Sequence, residues 1–238
     1  HMTTERVKVE QNTQKFSFKE LISEIAHNKA LIGIIVCALL FLLAQLSLSN
    51  MNNYIYPNYF GNVSAMSLAN LAGMVVILVL STFIVKLSAK VGKKELSVIG
   101  SIISAAAFLI LFFIHTDNVW VWIVLVLISS VGTAMFNMVI WAMITDVIDE
   151  SEVQTGVRQD GTIYSVYSFA RKLGQACSSG LSGVLLSIIG YTTATAFDPK
   201  VVDGIYNITC LVPAGGMILL LLALWFLYPC LLYTSDAA

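Results

Sequence analysis

Runs of about twenty residues with almost no charge recur along this chain, and no other feature restricts its fold so tightly. A run of that length matches the thickness of a bilayer's hydrocarbon core when wound as a helix. Composition agrees: 58% of the 238 residues are hydrophobic and only 11% are charged, against roughly 25% charged in a soluble domain. A water-soluble protein of this composition could not cover its surface with polar groups. The spans expected from the pattern are 30–56, 65–87, 96–115, 119–145, 161–190 and 205–228. The expected fold class is therefore an all-α integral membrane protein with a six-helix bundle over 30–228.

The basic residues set an expected orientation. Arg6, Lys8, Lys15, Lys19 and Lys29 precede the first span, Lys86, Lys90, Lys93 and Lys94 surround the second connection, and Arg158 lies in the fourth. The opposite side carries only Lys200. This places both termini in the cytoplasm and the chain in the plasma (inner) membrane as a multi-pass protein. Residues 1–29 read as a cytoplasmic linker with a short amphipathic helix, begun by the capping pattern Ser17-Phe18-Lys19-Glu20. Residues 229–238 break from the preceding pattern after Pro229 and read as a non-native tail.

The basic residues sit in short clusters beside apolar runs, which offers no surface for nucleic acid. The four cysteines, Cys37, Cys177, Cys210 and Cys230, have neither metal-ligand spacing nor a soluble disulfide context. No metal site, cofactor or catalytic constellation is expected, and the chain does not read as an enzyme.

Polar residues on one face of a membrane helix need a reason. Gln45, Ser49, Asn52 and Tyr56 share a face of the first span by their spacing of four, three and four. Ser130, Ala134, Asn137, Trp141 and Thr145 do so in the fourth, and Ser165, Ser168, Lys172, Gln175 and Ser179 in the fifth, with Tyr164 nearby. Amides, hydroxyls and an indole together suit a polyhydroxylated ligand. Small polar residues also tighten helix packing, the reading preferred for Ser178, Ser179, Gly180, Ser182 and Gly183.

Spacing leaves two readings of Arg171 and Lys172 open. If the fifth span begins near Gly161, Lys172 lies about 16 Å along the helix, near the midplane, where a cation costs on the order of 3 kcal/mol and marks function. If it begins at Leu173, both residues are flanking cytoplasmic cations. The acidic cluster Asp146, Asp149, Glu150 and Glu152 follows the expected end of the fourth helix. An anion there opposes the helix dipole, which suggests charge pairing at a gate rather than a merely solvated loop.

The stretch Trp141-Ala-Met-Ile-Thr-Asp146-Val-Ile-Asp149-Glu150, then Arg158-Gln-Asp160-Gly161, then Tyr164-Ser-Val-Tyr-Ser-Phe-Ala-Arg171-Lys172-Leu-Gly174-Gln175 resembles the glycoside–pentoside–hexuronide:cation symporters. These are melibiose-permease and glucuronide-carrier relatives within the major facilitator superfamily. The basic turn Lys90-Val-Gly92-Lys93-Lys94 is similar to one of their cytoplasmic connections. The resemblance covers about residues 16–228 and corresponds to the second of that family's two six-helix bundles.

What the resemblance implies is specific. Lys172 would lie within its helix beside the sugar and cation sites. It would neutralise an acidic partner or a substrate carboxylate. Trp141, Asn137, Tyr164 and Gln175 would shape the pocket, with Arg171 and Asn53 as further substrate contacts. Asp146, Asp149, Glu152 and Arg158 would form a cytoplasmic gate. The partners would be a small sugar or glycoside, the lipid bilayer and an N-terminal six-helix bundle. That bundle would carry the acids binding the coupling cation, H⁺, Na⁺ or Li⁺. The function implied is the C-terminal half of a cation-coupled sugar symporter working by alternating access. A non-transporting membrane scaffold or sensor, or a half-size carrier acting as a dimer, are the alternatives.

Overall fold

The structure is a computed structural model that describes residues 28–155 and 160–228. The linker with its amphipathic segment (apart from Asn28 and Lys29), Arg158 and the 229–238 tail lie outside the described residues. Six long helices make up the described chain: α1 Lys29–Tyr54, α2 Val63–Val91, α3 Lys93–Ile114, α4 Val119–Thr155, α5 Asp160–Ile188 and α6 Pro199–Phe226. A π-helical turn, Ile55–Tyr59, prolongs α1. The expected six-helix bundle is present.

Helix starts follow capping chemistry. The side chain of Asn28 accepts from the Leu31 amide at 2.9 Å, and that of Asn62 accepts from the Ala65 amide at 3.1 Å. Asp198 caps α6, with Pro199 in the first turn, where its missing N–H costs nothing. α6 consequently starts six residues before the expected span. Gly92, at φ 101°, ends α2 and begins α3. A side chain there would force a strained backbone.

The largest departure from expectation is α4. It continues ten residues past the expected end at 145, so Asp146 lies inside the helix and not at its carboxyl end. Hydrophobic spacing explains the extension. Ile140, Met143, Ile144, Val147, Ile148 and Ser151 are all buried, and their three-and-four spacing keeps one stripe on the core. The acidic residues ride this helix rather than a loop.

Among the described residues five helices are long and apolar enough to cross a membrane; α5 has the length, but its polar residues take it below that standard. α1 packs on α5 and α6, α3 on α4 and α6, and α2 mainly on α4, while α4 and α5 barely touch. α2 is peripheral: 11% of its most apolar window is buried, against 44–50% in α1, α3, α4 and α6. Two apolar clusters fill the bundle. One is centred on Phe41, Phe136, Ile140 and Leu220, the other on Phe108, Trp122, Tyr206 and Cys210.

The α3–α4 contact is a seam of small residues. Ser104 and Ser129 share a hydrogen bond at 2.7 Å, and Ser97 donates to the Met143 sulfur at 3.7 Å. Between them, a Cβ added at Gly100 would stand 2.6 Å from the Gly132 carbonyl oxygen. Without a hydrophobic drive between helices in lipid, such close backbone approach is what holds them together.

Candidate functional site

α5 buries Ile163, Tyr167, Ala170, Gly174, Ser178 and Ser182. Their three-and-four spacing forms one stripe, and it lies against α1. Ser47 and Ser178 share a hydrogen bond at 3.3 Å, and the Asn50 amide donates to Ser182 at 3.2 Å. Ser178 and Ser182 therefore serve packing, as expected. Ser179, Gly180 and Gly183 are exposed, and a Cβ at either glycine would meet nothing. These three therefore take no part in the packing against α1.

This docking leaves Arg171 half-buried at the edge of α4. Its Cζ lies 5.0 Å from the Trp141 ring centroid and 5.8 Å from that of Tyr167. Trp141 and Tyr167 meet edge-on at 5.9 Å, and Tyr164 lies 6.3 Å from Trp141. A guanidinium against two ring faces is held by cation–π attraction while its N–H groups remain able to donate. Asn137, one turn before Trp141, lines the same crevice as Arg171 and Tyr167. The indole is 45% exposed, so one of its surfaces stays open to a ligand.

Lys172 is exposed on the open side of α5, next to this cluster, and Gln175 follows half-buried one turn on. Among the described residues no carboxylate forms an ion pair with Lys172. α5 is continuous from Asp160, so Lys172 stands twelve residues inside a helix rather than before one. The structure thus brings Trp141, Tyr164, Tyr167, Arg171 and Asn137 together where α4 and α5 diverge, while Lys172 and Gln175 follow on α5 without a side-chain contact to them. It does not bring Asn53 there. That side chain is exposed and donates to the Ser49 and Asn50 carbonyls of its own helix. Tyr167 was missed by sequence reasoning, although its place four residues before Arg171 was a usable signal.

The polar stripes of α1 and α4 meet each other in a separate cavity that includes Gln45, Ser49, Asn52, Ser130 and Thr133. The α5 stripe does not reach it. Tyr56 leaves its stripe altogether and is buried in the apolar cluster around Trp122.

At the basic end, Lys93 donates to both oxygens of Asp146, at 2.6 and 2.8 Å. The two side chains are 32% and 15% exposed. Lys93 opens α3, where the helix dipole disfavours a cation, and Asp146 offsets that. Lys94 donates to the Tyr228 carbonyl at 2.8 Å, tying α6 to the same end. The partner of Asp146 thus belongs to its own bundle. Asp149 is exposed and Glu152 half-buried along the same extension of α4.

The family model described as MFS/sugar transport protein matches residues 1–230. The chain belongs to this family. The MFS/sugar transport family consists of transporters, not enzymes. The chain is 32% identical to the uncharacterized symporter YjmB of Bacillus subtilis (strain 168) over 215 residues, 90% of this chain and 47% of that protein. It is 28% identical to a second uncharacterized symporter of that organism, YnaJ, over 94% of this chain and 48% of the relative. A glucuronide carrier protein homolog of Escherichia coli (strain K12) is 35% identical over 141 residues, 59% of this chain and 31% of the homolog. The chain spans less than half the length of each. It is a multi-pass membrane protein of a transporter family.

Proposed function

We propose that this chain is one of two six-helix bundles in a cation-coupled carrier of glycosides or hexuronides. The observation that carries this reading is the cluster of Trp141, Tyr167 and Arg171 with Lys172 beside it, set where α4 and α5 part. Aromatic faces pack on the C–H side of a sugar ring, and the two cations suit a carboxylate. The exposed flanks of α2 and α5 suit contact with a second bundle, which also accords with a length under half that of the relatives. Substrate would bind between the bundles and access would alternate as they rock. The coupling cation is assigned to acids of the other bundle. The termini are placed in the cytoplasm, with Asp149, Glu152 and Arg158 as inter-bundle gate contacts beside the Lys93–Asp146 pair.

In proteoliposomes carrying the two-bundle protein, Lys172→Gln should weaken uptake of a hexuronide about thirty-fold, as expected for losing roughly 2 kcal/mol of charge-assisted hydrogen bonding. Uptake of the matching neutral glycoside should change much less. Unchanged affinity for both sugars would remove Lys172 from the site.

A further inference from the structure

The cavity lined by α1, α2 and α4, and backed by Phe108 of α3 and Met217 of α6, holds three carboxamides, those of Gln45, Asn52 and Asn70, together with the hydroxyls of Ser49, Ser130 and Thr133. It has a volume of about 180 Å³. Asn70 comes from α2 and belongs to neither sequence stripe. The carboxamides stand out because nothing in the bundle uses them. Asn52 Oδ1 is buried without a partner. Among the described residues Gln45 and Asn70 make no side-chain hydrogen bond either. The hydroxyls of Ser130 and Thr133, by contrast, donate to the Val126 and Ser130 carbonyls of their own helix, leaving their oxygens as acceptors.

Unpaired amides inside a membrane helix bundle are costly. Their convergence on one cavity therefore calls for a ligand with donors and acceptors on adjacent atoms. A carboxamide meets such a ligand with a donor and an acceptor side by side, the arrangement that vicinal hydroxyls complement. No charged residue lines the cavity, so it offers nothing to an anion. Thr133 lies eight residues before Trp141 on α4, about 12 Å along the axis, so this cavity and the Trp141–Arg171 cluster are separate.

We infer that this cavity is a second sugar-binding site, distinct from the Trp141–Arg171 cluster, that takes a neutral, hydroxyl-bearing group. The inference rests on the sugar-carrier reading and assigns residues that reading does not use. Ser49 and Asn70 are exposed at its rim, so the cavity is reached from outside the described bundle.

The test uses the two-bundle protein in proteoliposomes, with 4-nitrophenyl β-glucoside and 4-nitrophenyl β-glucuronide as probes in counterflow. Asn52→Leu and Gln45→Leu should each raise the half-saturating concentration of both probes tenfold or more. Lys172→Gln should affect the glucuronide selectively. Unchanged half-saturation in both leucine variants overturns the second site and leaves a cavity for water only. Should leucine prevent folding, alkylation of Ser49→Cys in a background with Cys177→Ser and Cys230→Ser replaces that readout. Slowing of the reaction by either probe supports the site, and an unaltered rate with both overturns it. If the unsubstituted protein exchanges neither probe, the sugar-carrier reading fails and this inference falls with it.

Discussion

Gly100→Leu is expected to leave almost no monodisperse protein after detergent extraction, with Gly100→Ala reducing the yield severely. The reason is the α3–α4 seam. A Cβ on Gly100 would sit 2.6 Å from the Gly132 carbonyl oxygen and 3.1 Å from Met135 Cβ. Backbone cannot rotate out of the way as a flexible side chain can, so the helices must move apart to admit even the Cβ, and further for leucine. Separation also breaks the Ser104–Ser129 hydrogen bond in the next turn, and two buried hydroxyls without partners cost about 1–3 kcal/mol each. Overpacking adds about 1–3 kcal/mol. Together these rival the whole stability of a typical domain, about 5–15 kcal/mol. Gly180→Leu is the control: a Cβ there meets nothing within 4 Å in this chain, so its yield should match the unsubstituted protein. Equal yields of Gly100→Leu and Gly180→Leu would show that the seam is not needed.

The architecture was legible in the sequence because each helix must bring its own apolar stretch and its own caps. Asn28, Asn62 and Asp198 mark starts that polar-to-apolar boundaries alone misplaced by up to six residues. The extension of α4 was hidden because acidic residues interrupt the apolar run. Only the buried spacing from Ile140 to Ser151 shows that one face stays hydrophobic while the other carries charge. At the site, Trp141, Arg171 and Tyr164 could be read from motif and register. Three-dimensional pairings could not. Trp141 against Arg171 and Lys93 opposite Asp146 join residues of different helices, whose relation depends on how those helices dock. Asn70 is the clearest case. It sits alone in the apolar run of α2, with no stripe to mark it, and becomes meaningful only when α2 lies on α4 beside Asn52 of α1. α5 shows the reverse limit: its polar residues lower its apolarity, although its 29-residue length and helical continuity match its neighbours.

In the two-bundle carrier proposed above, Asp146→Lys should abolish uptake, reducing it more than a hundredfold, and the exchange Lys93→Asp with Asp146→Lys should restore a substantial part. The pair is short and doubly hydrogen-bonded, and Asp146 is mostly shielded from water. Its strength lies between the roughly 1 kcal/mol of an exposed pair and the 3–5 kcal/mol lost when a buried one is broken. Charge reversal does worse than breakage, because it sets a new cation against Lys93 with Lys94 next in sequence. Three consequences converge at this end of the bundle. Lys93 begins α3 directly after the positive-φ Gly92, so its side chain anchors the α2–α3 turn to α4. Lys94 binds the Tyr228 carbonyl, so disturbance of the turn reaches the end of α6. The charge on Asp146 also holds a cation at a helix N-terminus that would otherwise repel it. The double exchange keeps one attractive pair and places an anion at the start of α3, where the dipole favours it. Recovery should therefore extend to thermal stability as well as uptake. Stability restored without uptake would make the pair a structural clasp only. A double exchange as unstable as Asp146→Lys would mean that the two charges do not act as a pair.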